Sequence, residues 1–110
     1  MQQYQPNTIG KTIQIFSFSK LLLTKNPLII QTYGIKHDQY IQCANPRKIK
    51  KAILNNLCKD SFVIFDFSTL INTHSLVYLF RFLNCLGRNV YLVTSKKEKL
   101  WFADEVYKLE

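Results

Sequence analysis

The chain has few of the residues that build common catalytic and metal sites. Its only glycines are Gly10, Gly34 and Gly87, so no glycine-rich phosphate-binding loop is present. Neither H-x-x-x-H nor C-x-x-C spacing occurs, and there is no G-x-S-x-G motif. His74 lies beside Thr73 and Ser75, but the glycines that would form an oxyanion hole are missing. These absences predict a chain with no catalytic residues, no cofactor and no metal site.

Cysteine is scarce and odd in number. Cys43, Cys58 and Cys85 are widely spaced, and no histidine lies next to any of them in the sequence. A thiol nucleophile needs an adjacent base. We therefore expect three free, buried thiols in a reducing compartment.

Long apolar runs are also lacking. No run approaches the ~18–20 residues that a membrane-spanning helix needs, and the start, MQQYQPNTIGK, lacks the basic-then-apolar pattern of a secretory leader. With 110 residues, the sequence predicts one domain covering 1–110. The expected location is the cytoplasm or an organelle matrix or stroma.

Acidic residues are nearly absent from the first half. Residues 1–59 carry nine Lys or Arg against one acid, whereas residues 60–110 carry six of each, so the whole excess of +8 lies in the first half. A one-sided basic surface suits nucleic acid, an anionic lipid surface or an acidic protein face. A solubility-driven bias gives the same pattern, and A/T-rich coding would also enrich lysine.

The segment 62–94 carries the clearest fold signal. Residues 62–67, FVIFDF, predict a central strand that is covered on both faces. A polar loop follows at 68–75, then an apolar helix at 76–86 that stops before Gly87, then a strand at 89–94. A βαβ unit of this kind predicts an α/β fold. A helix this apolar is mostly buried or has a partner.

The flanking segments predict a mixed sheet. Residues 12–18 and 28–33 read as strands around the turn signal Asn26-Pro27, which predicts a hairpin, and 39–43 as a short third strand. Asn45 and Pro46 open a basic helix at 46–58. The pair Ser95 and Glu98 predicts a capped final helix from 96 onwards, with the neighbouring acids at 104 and 105 exposed on it. The predicted order is a β-hairpin start followed by αβαβα.

Asp66 is the one charge in the central strand. A carboxylate near the end of a buried strand is costly unless it is hydrogen-bonded. Asp66 is therefore expected either to organise the following loop or to have a functional role.

The order of elements resembles the STAS domain, the fold of anti-sigma-factor antagonists and of small transporter-associated subunits. Residues 66–68, DFS, are similar to its strand ending in Asp-Leu-Ser. Residues 87–93, GRNVYLV, resemble its glycine-led strand entry, and 100–109, LWFADEVYKL, its final helix.

This resemblance implies a non-enzymatic protein-interaction module. The family has a loop of type Asp-Ser-Ser/Thr-Gly before its second helix, and the loop serine is phosphorylated. The matching loop here is 72–75, with Asn72 for the acid, Thr73 at the phosphoacceptor position and Ser75 for the glycine. The implied partner-binding surface comprises the helix 76–86 and a set of loop residues: Asn72, Thr73, His74, Ser75 and Asp66.

A second resemblance is to a platform protein of the small ribosomal subunit. Gly34-Ile35-Lys36 is similar to its Gly-Phe-Lys, whereas the family's basic C-terminal tail is missing. This alternative implies an organelle-encoded protein that binds ribosomal RNA. The cations that would contact phosphates without reading sequence are Lys11, Lys20, Lys25, Lys36, Arg47, Lys48, Lys50 and Lys51. A protein partner is the primary expectation, RNA the alternative, and a small-molecule ligand is not expected.

Overall fold

A computed structural model describes residues 9–16, 26–70, 74–95 and 99–107. These residues form an α/β domain with one sheet and two α-helices. The strands are β1 (Thr12–Ile15), β2 (Pro27–Gln31), β3 (Ile41–Gln42), β4 (Ser61–Phe65), β5 (Asn89–Val93) and β6 (Glu105–Tyr107). The helices are α1 (Pro46–Leu54) and α2 (His74–Cys85), and a 3₁₀ helix (Phe67–Leu70) follows β4.

The six described strands lie in the order β3-β2-β4-β5-β1-β6, and every pairing is parallel. β4 lies inside the sheet, where Ile64 is level with Ile30 on β2 and with Leu92 on β5. The predictions of a central strand near 62–67 and of a parallel neighbour near 89–94 are therefore confirmed.

Both faces of the sheet are covered by apolar side chains. α1 and α2 lie on one face, over a core that includes Ile30, Ile64 and Leu92. A smaller buried cluster on the opposite face includes Val63 and Val93. Burial on both faces explains why the sequence of β4 is almost continuously apolar.

The predicted hairpin and the mixed sheet are wrong. β1 pairs with β5 and β6, whereas β2 pairs with β3 and β4, so two strands separate them. The turn signal is real, because Asn26 has a φ of 53°. It leads into β2, however, and does not fold β2 back onto β1. Parallel partners distant in sequence bury more of these strands than a two-stranded ribbon would.

The predicted final helix is also wrong over its described part. Residues 99–104 form turns, and 105–107 form the edge strand β6 beside β1. Asp104 fixes this connection, because its N–H donates to the Thr12 carbonyl at 2.8 Å and its Oδ2 accepts from the Thr12 N–H at 2.8 Å. Glu105 accepts from Lys11 Nζ at 2.7 Å. These two acids are therefore anchored at a strand end. Glu98 of the predicted capping box lies outside the described residues.

The two α-helices agree closely with prediction. Asn45 Oδ1 accepts from the Arg47 N–H at 2.8 Å, and Pro46 is the first residue of α1, as expected for this cap. α1 ends at Leu54, earlier than predicted. α2 begins two residues earlier, so His74 and Ser75 belong to its first turn. Gly87 follows α2 with a φ of 80°.

The expectation of buried thiols is wrong. Cys58 and Cys85 are exposed and Cys43 is partly buried, although all three are free as expected. Cys58 follows the end of α1, where turns bring it to the surface.

Candidate functional site

The outer face of α2 displays large apolar side chains. Tyr78 is 78% exposed, Phe82 48% and Leu86 46%, and they recur every four residues along one side of the helix and its end. The inner side of the same helix is buried in the core through Leu76, Phe80 and Leu83. α2 is therefore apolar on both sides, which accounts for its unusual composition.

A groove lies beside the first half of α2. We call it the Trp101 groove. Its volume is about 240 Å³, and its lining residues are His74, Val77, Tyr78, Arg81 and Trp101. The rings of His74 and Trp101 have centroids 6.3 Å apart. Trp101 is 68% exposed, so the indole forms a wall of the groove.

Buried contacts hold Trp101 in place. Its indole packs edge-on against Phe102, with ring centroids 5.3 Å apart, and Phe102 is buried. Gln14, fully buried on β1, accepts from the Leu100 N–H at 2.7 Å and donates from Nε2 to Thr94 Oγ1 at 3.0 Å. The connection between β5 and β6 is thus tied to a buried side chain of β1 and to Thr94, and these contacts hold the residue before Trp101 in place.

One guanidinium, that of Arg81, lines the groove. Arg81 is half-exposed, and its guanidinium lies 3.5 Å from Asp104 Oδ1, a long contact. Asp104 already accepts from Thr12 through its other oxygen. No carboxylate of the described residues lines the groove itself. Much of the hydrogen-bonding capacity of Arg81 therefore remains for a ligand.

A larger cavity of about 340 Å³ lies on the other side of Arg81, near the start of β1. Two of the polar side chains on its lining, Asn84 and Lys11, are already paired. Asn84 Oδ1 accepts from Thr12 Oγ1 at 2.9 Å, and Asn84 Nδ2 donates to the Arg88 carbonyl at 3.0 Å. Lys11 is held by Glu105. These contacts link α2, β1 and β6 around the cavity, so its polar lining serves the packing of these elements.

The structure brings only part of the predicted partner surface together. Asn72 and Thr73, the predicted phosphoacceptor, lie outside the described residues. His74 and Ser75 are exposed in the first turn of α2, and His74 lines the Trp101 groove. Asp66 does not line the groove.

Asp66 organises the end of β4. Its backbone is left-handed, with a φ of 63°. Its carbonyl accepts from Thr32 Oγ1 at 3.2 Å and from Thr69 Oγ1 at 3.3 Å. Burial raises the pKa of the Asp66 carboxyl above its ordinary value. These contacts fit the loop-organising role that the sequence left open.

The predicted basic cluster lies on the exposed side of α1. Arg47, Lys48, Lys50 and Lys51 are all exposed, opposite the buried Ile49 and Ile53. None of the carboxylates in the described ranges forms an ion pair with these four cations. Lys36 is exposed on the separate loop between β2 and β3, whereas Lys20 and Lys25 lie outside the described residues.

Two kinds of site are not found in the described part of the chain. No group of three or more His, Cys, Asp or Glu side chains is placed to hold a metal ion. Neither described α-helix has the length and apolar character needed to cross a membrane.

Comparisons of the chain with protein-family models, with curated proteins and with solved structures found no match.

Sequence reasoning missed the exposed aromatic residues. Trp101 falls in the predicted final helix, and the sequence predicts only that a helix as apolar as 76–86 is mostly buried or has a partner, without singling out Tyr78 and Phe82. A signal was present, because Tyr78 and Phe82 are four residues apart while Leu76, Leu79 and Leu83 follow a different helical stripe. Separating the two stripes would have predicted a helix with apolar side chains on opposite sides.

Proposed function

We propose that this chain is a non-catalytic protein-interaction module that binds its partner on the outer face of α2. The observation that carries the proposal is the exposure of Tyr78, Phe82 and Leu86 on one side of that helix, next to the exposed Trp101. Scattered surface apolar residues need no explanation, but a contiguous aromatic patch marks an interaction site. Aromatic residues and Arg are also enriched at binding hot spots.

The proposed partner is an acidic, amphipathic protein segment. The apolar side of such a segment would cover the aromatic patch. Its acidic side would meet the surrounding cations, which include Arg81 on α2 and the four on α1, the helix packed beside α2. The excess charge of +8 favours the same complement.

The test compares tagged forms of the full chain purified from native cells at physiological salt. Tyr78→Ser combined with Phe82→Ser removes the two central aromatics of the patch. We expect the wild type to retain a small set of acidic proteins in stoichiometric amount, and the double variant to lose them. The melting temperature should change little, because both side chains are exposed.

A matched control is Tyr33→Ser combined with Ile35→Ser. These residues are also strongly exposed, on the loop after β2, so the control removes comparable apolar surface elsewhere. It should retain the same proteins. Equal retention by all three forms would refute the proposal. Size-exclusion chromatography tests for a second copy of the chain on the same face. A wild-type dimer that becomes monomeric only in the α2 variant would show that a second copy binds there, and it would also refute an acidic partner.

A second candidate function is RNA binding through α1. The observation that favours it is the set of four exposed cations without an ion-paired carboxylate in the described ranges. Each lysine or arginine that pairs with a phosphate releases counterions, so affinity would fall steeply as salt rises. Contacts of this kind to phosphates would position the chain on RNA without reading its sequence.

Filter binding of a structured RNA at two salt concentrations tests this candidate. RNA binding predicts that replacing Arg47, Lys48, Lys50 and Lys51 with Gln lowers both affinity and salt slope, while the melting temperature stays the same. The protein-interaction proposal predicts weak binding that the replacement barely changes. Tight, salt-sensitive binding that the replacement removes would favour RNA.

The resemblances to the STAS family and to a ribosomal platform protein stay predictions. Phosphorylation of Thr73 is implied only by the first of them. The exposed side chains of α2 and of the connection before β6 support a protein-interaction module independently of either resemblance.

A further inference from the structure

We infer that the Trp101 groove is the anchor site of the interaction surface, and that it selects an apolar side chain followed by a carboxylate in the partner peptide. This inference rests on the proposed function and specifies the partner that the α2 face takes. The groove combines apolar walls with one guanidinium, and each of the two parts sets one requirement on the ligand.

The walls set the apolar requirement. Tyr78 and Trp101 are exposed rings, and Val77, which also lines the groove, is buried. The groove volume is about 240 Å³, whereas an apolar cavity of about 150 Å³ already takes a benzene ring. One leucine or phenylalanine side chain therefore fits, and burying it against the two rings removes apolar surface of both molecules from water.

Arg81 sets the acidic requirement. Among the described residues that line the groove, Arg81 carries the only always-charged group, and its contact with Asp104 is long at 3.5 Å. A carboxylate can accept two parallel N–H bonds from such a planar fork. The N-terminal turn of α2, which carries His74 and has no acidic residue, adds a positive partial charge at the other end.

Fixed geometry supports a defined anchor site. The Leu100 N–H bond to the buried Gln14 and the packing of Trp101 on Phe102 hold one wall. The other wall is a helix whose inner side is in the core. A groove held from both sides loses little conformational entropy on binding, which favours affinity.

The sequence supplies a local reporter for a test. Trp101 is the only tryptophan of the chain, so its indole N–H gives a single NMR signal from the groove wall. The probes are three: N-acetyl-Leu-Glu-amide, N-acetyl-Leu-Gln-amide and 4-methylpentanoate, each titrated into the full ¹⁵N-labelled protein. The first two differ only in charge, and the third carries an alkyl group and carboxylate without the peptide.

We expect a saturable shift of the Trp101 signal with the Leu-Glu probe, at a Kd on the order of 1 mM, and roughly threefold to tenfold weaker binding of the Leu-Gln probe. Arg81→Gln should abolish this difference between the two probes. Lys36→Gln, which changes an exposed cation of the loop between β2 and β3, should leave it intact. Circular dichroism checks that both variants are folded.

Three results would overturn the inference: equal binding of the Leu-Glu and Leu-Gln probes, no saturable shift with either, or tighter binding of 4-methylpentanoate than of the Leu-Glu probe. The last result would assign the groove to a free carboxylic acid.

These results are separate from the partner test. Loss of the native partner in the Tyr78 and Phe82 variant together with equal probe binding would leave the proposed function standing and remove this inference.

Discussion

At the residue scale, the sequence singles out Asp66 and leaves two roles open, and it does not predict the backbone conformation of this residue. Its place at the end of a buried strand is readable from the sequence, because a lone acid stands out in FVIFDF. Its left-handed backbone is not readable, since it follows from the direction that the chain takes from β4 into the 3₁₀ helix. Asp and Asn tolerate this conformation better than most residues.

The raised pKa of Asp66 gives a prediction with a definite sign. Burial raises the pKa of the folded-state carboxyl, so the native chain binds its proton more tightly than the unfolded chain. Its contribution favours folding below the ordinary pKa of about 3.9 and is lost as the pH rises through the folded value. Asp66→Asn should therefore raise the free energy of unfolding at pH 7 more than at pH 3.5, as measured by urea unfolding.

A second substitution separates charge from backbone strain. Asp66→Ala also removes the charge but suits a φ of 63° poorly. It should be less stable than Asp66→Asn by about 1 kcal/mol at both pH values. A gain for Asp66→Asn that is the same at pH 3.5 and pH 7 would contradict the argument from burial.

At the scale of elements, the helices and strands that depend on neighbouring residues were predicted, whereas those that depend on contacts distant in sequence were not. α1, α2, β4 and β5 follow from caps and apolar periodicity, which are properties of neighbouring residues. β6 does not, because Glu105, Val106 and Tyr107 form a strand only where β1 offers its free edge. The groove depends on the same distant contact, since the connection that carries Trp101 is fixed by Gln14 and Thr12.

Gln14 gives a prediction for that connection. Gln14→Met keeps the length of the side chain but leaves the buried Leu100 N–H without its acceptor. We expect a loss of about 1–3 kcal/mol in the free energy of unfolding. The Leu100 amide should also exchange its hydrogen faster, which NMR measures.

Gln31→Met is the matched control. Gln31 Oε1 is buried without a hydrogen-bond partner among the described residues, so replacing this side chain removes an unsatisfied group and should cost little. Equal destabilisation by the two substitutions would show that Gln14 does not anchor the connection.

At the scale of the whole molecule, the sequence predicts the class and misses the strand order. Two central strands and the helix between them are enough to indicate α/β. The parallel pairing of β1 with β5 joins residues far apart in the chain, such as Ile13 and Tyr91. No local sequence pattern predicts which strands pair in this way. The hairpin prediction failed for this reason.

The relative positions of the charged and the aromatic surfaces also follow only from the fold of the whole molecule. The helical side of the sheet carries both the cations of α1 and the aromatic residues of α2. The two features stand in separate parts of the sequence, in the basic first half and in the neutral second half. Folding places them on adjacent helices, where one acidic, amphipathic segment can contact both.

Hydrogen exchange with and without the purified native partner tests the central claim most directly. The amides of α2 and of the connection carrying Trp101 should become protected on binding, together with a smaller effect on α1. The sheet edge at β3 should not change. Protection confined to α1, or found only at the loop between β2 and β3, would contradict the claim that α2 is the docking face.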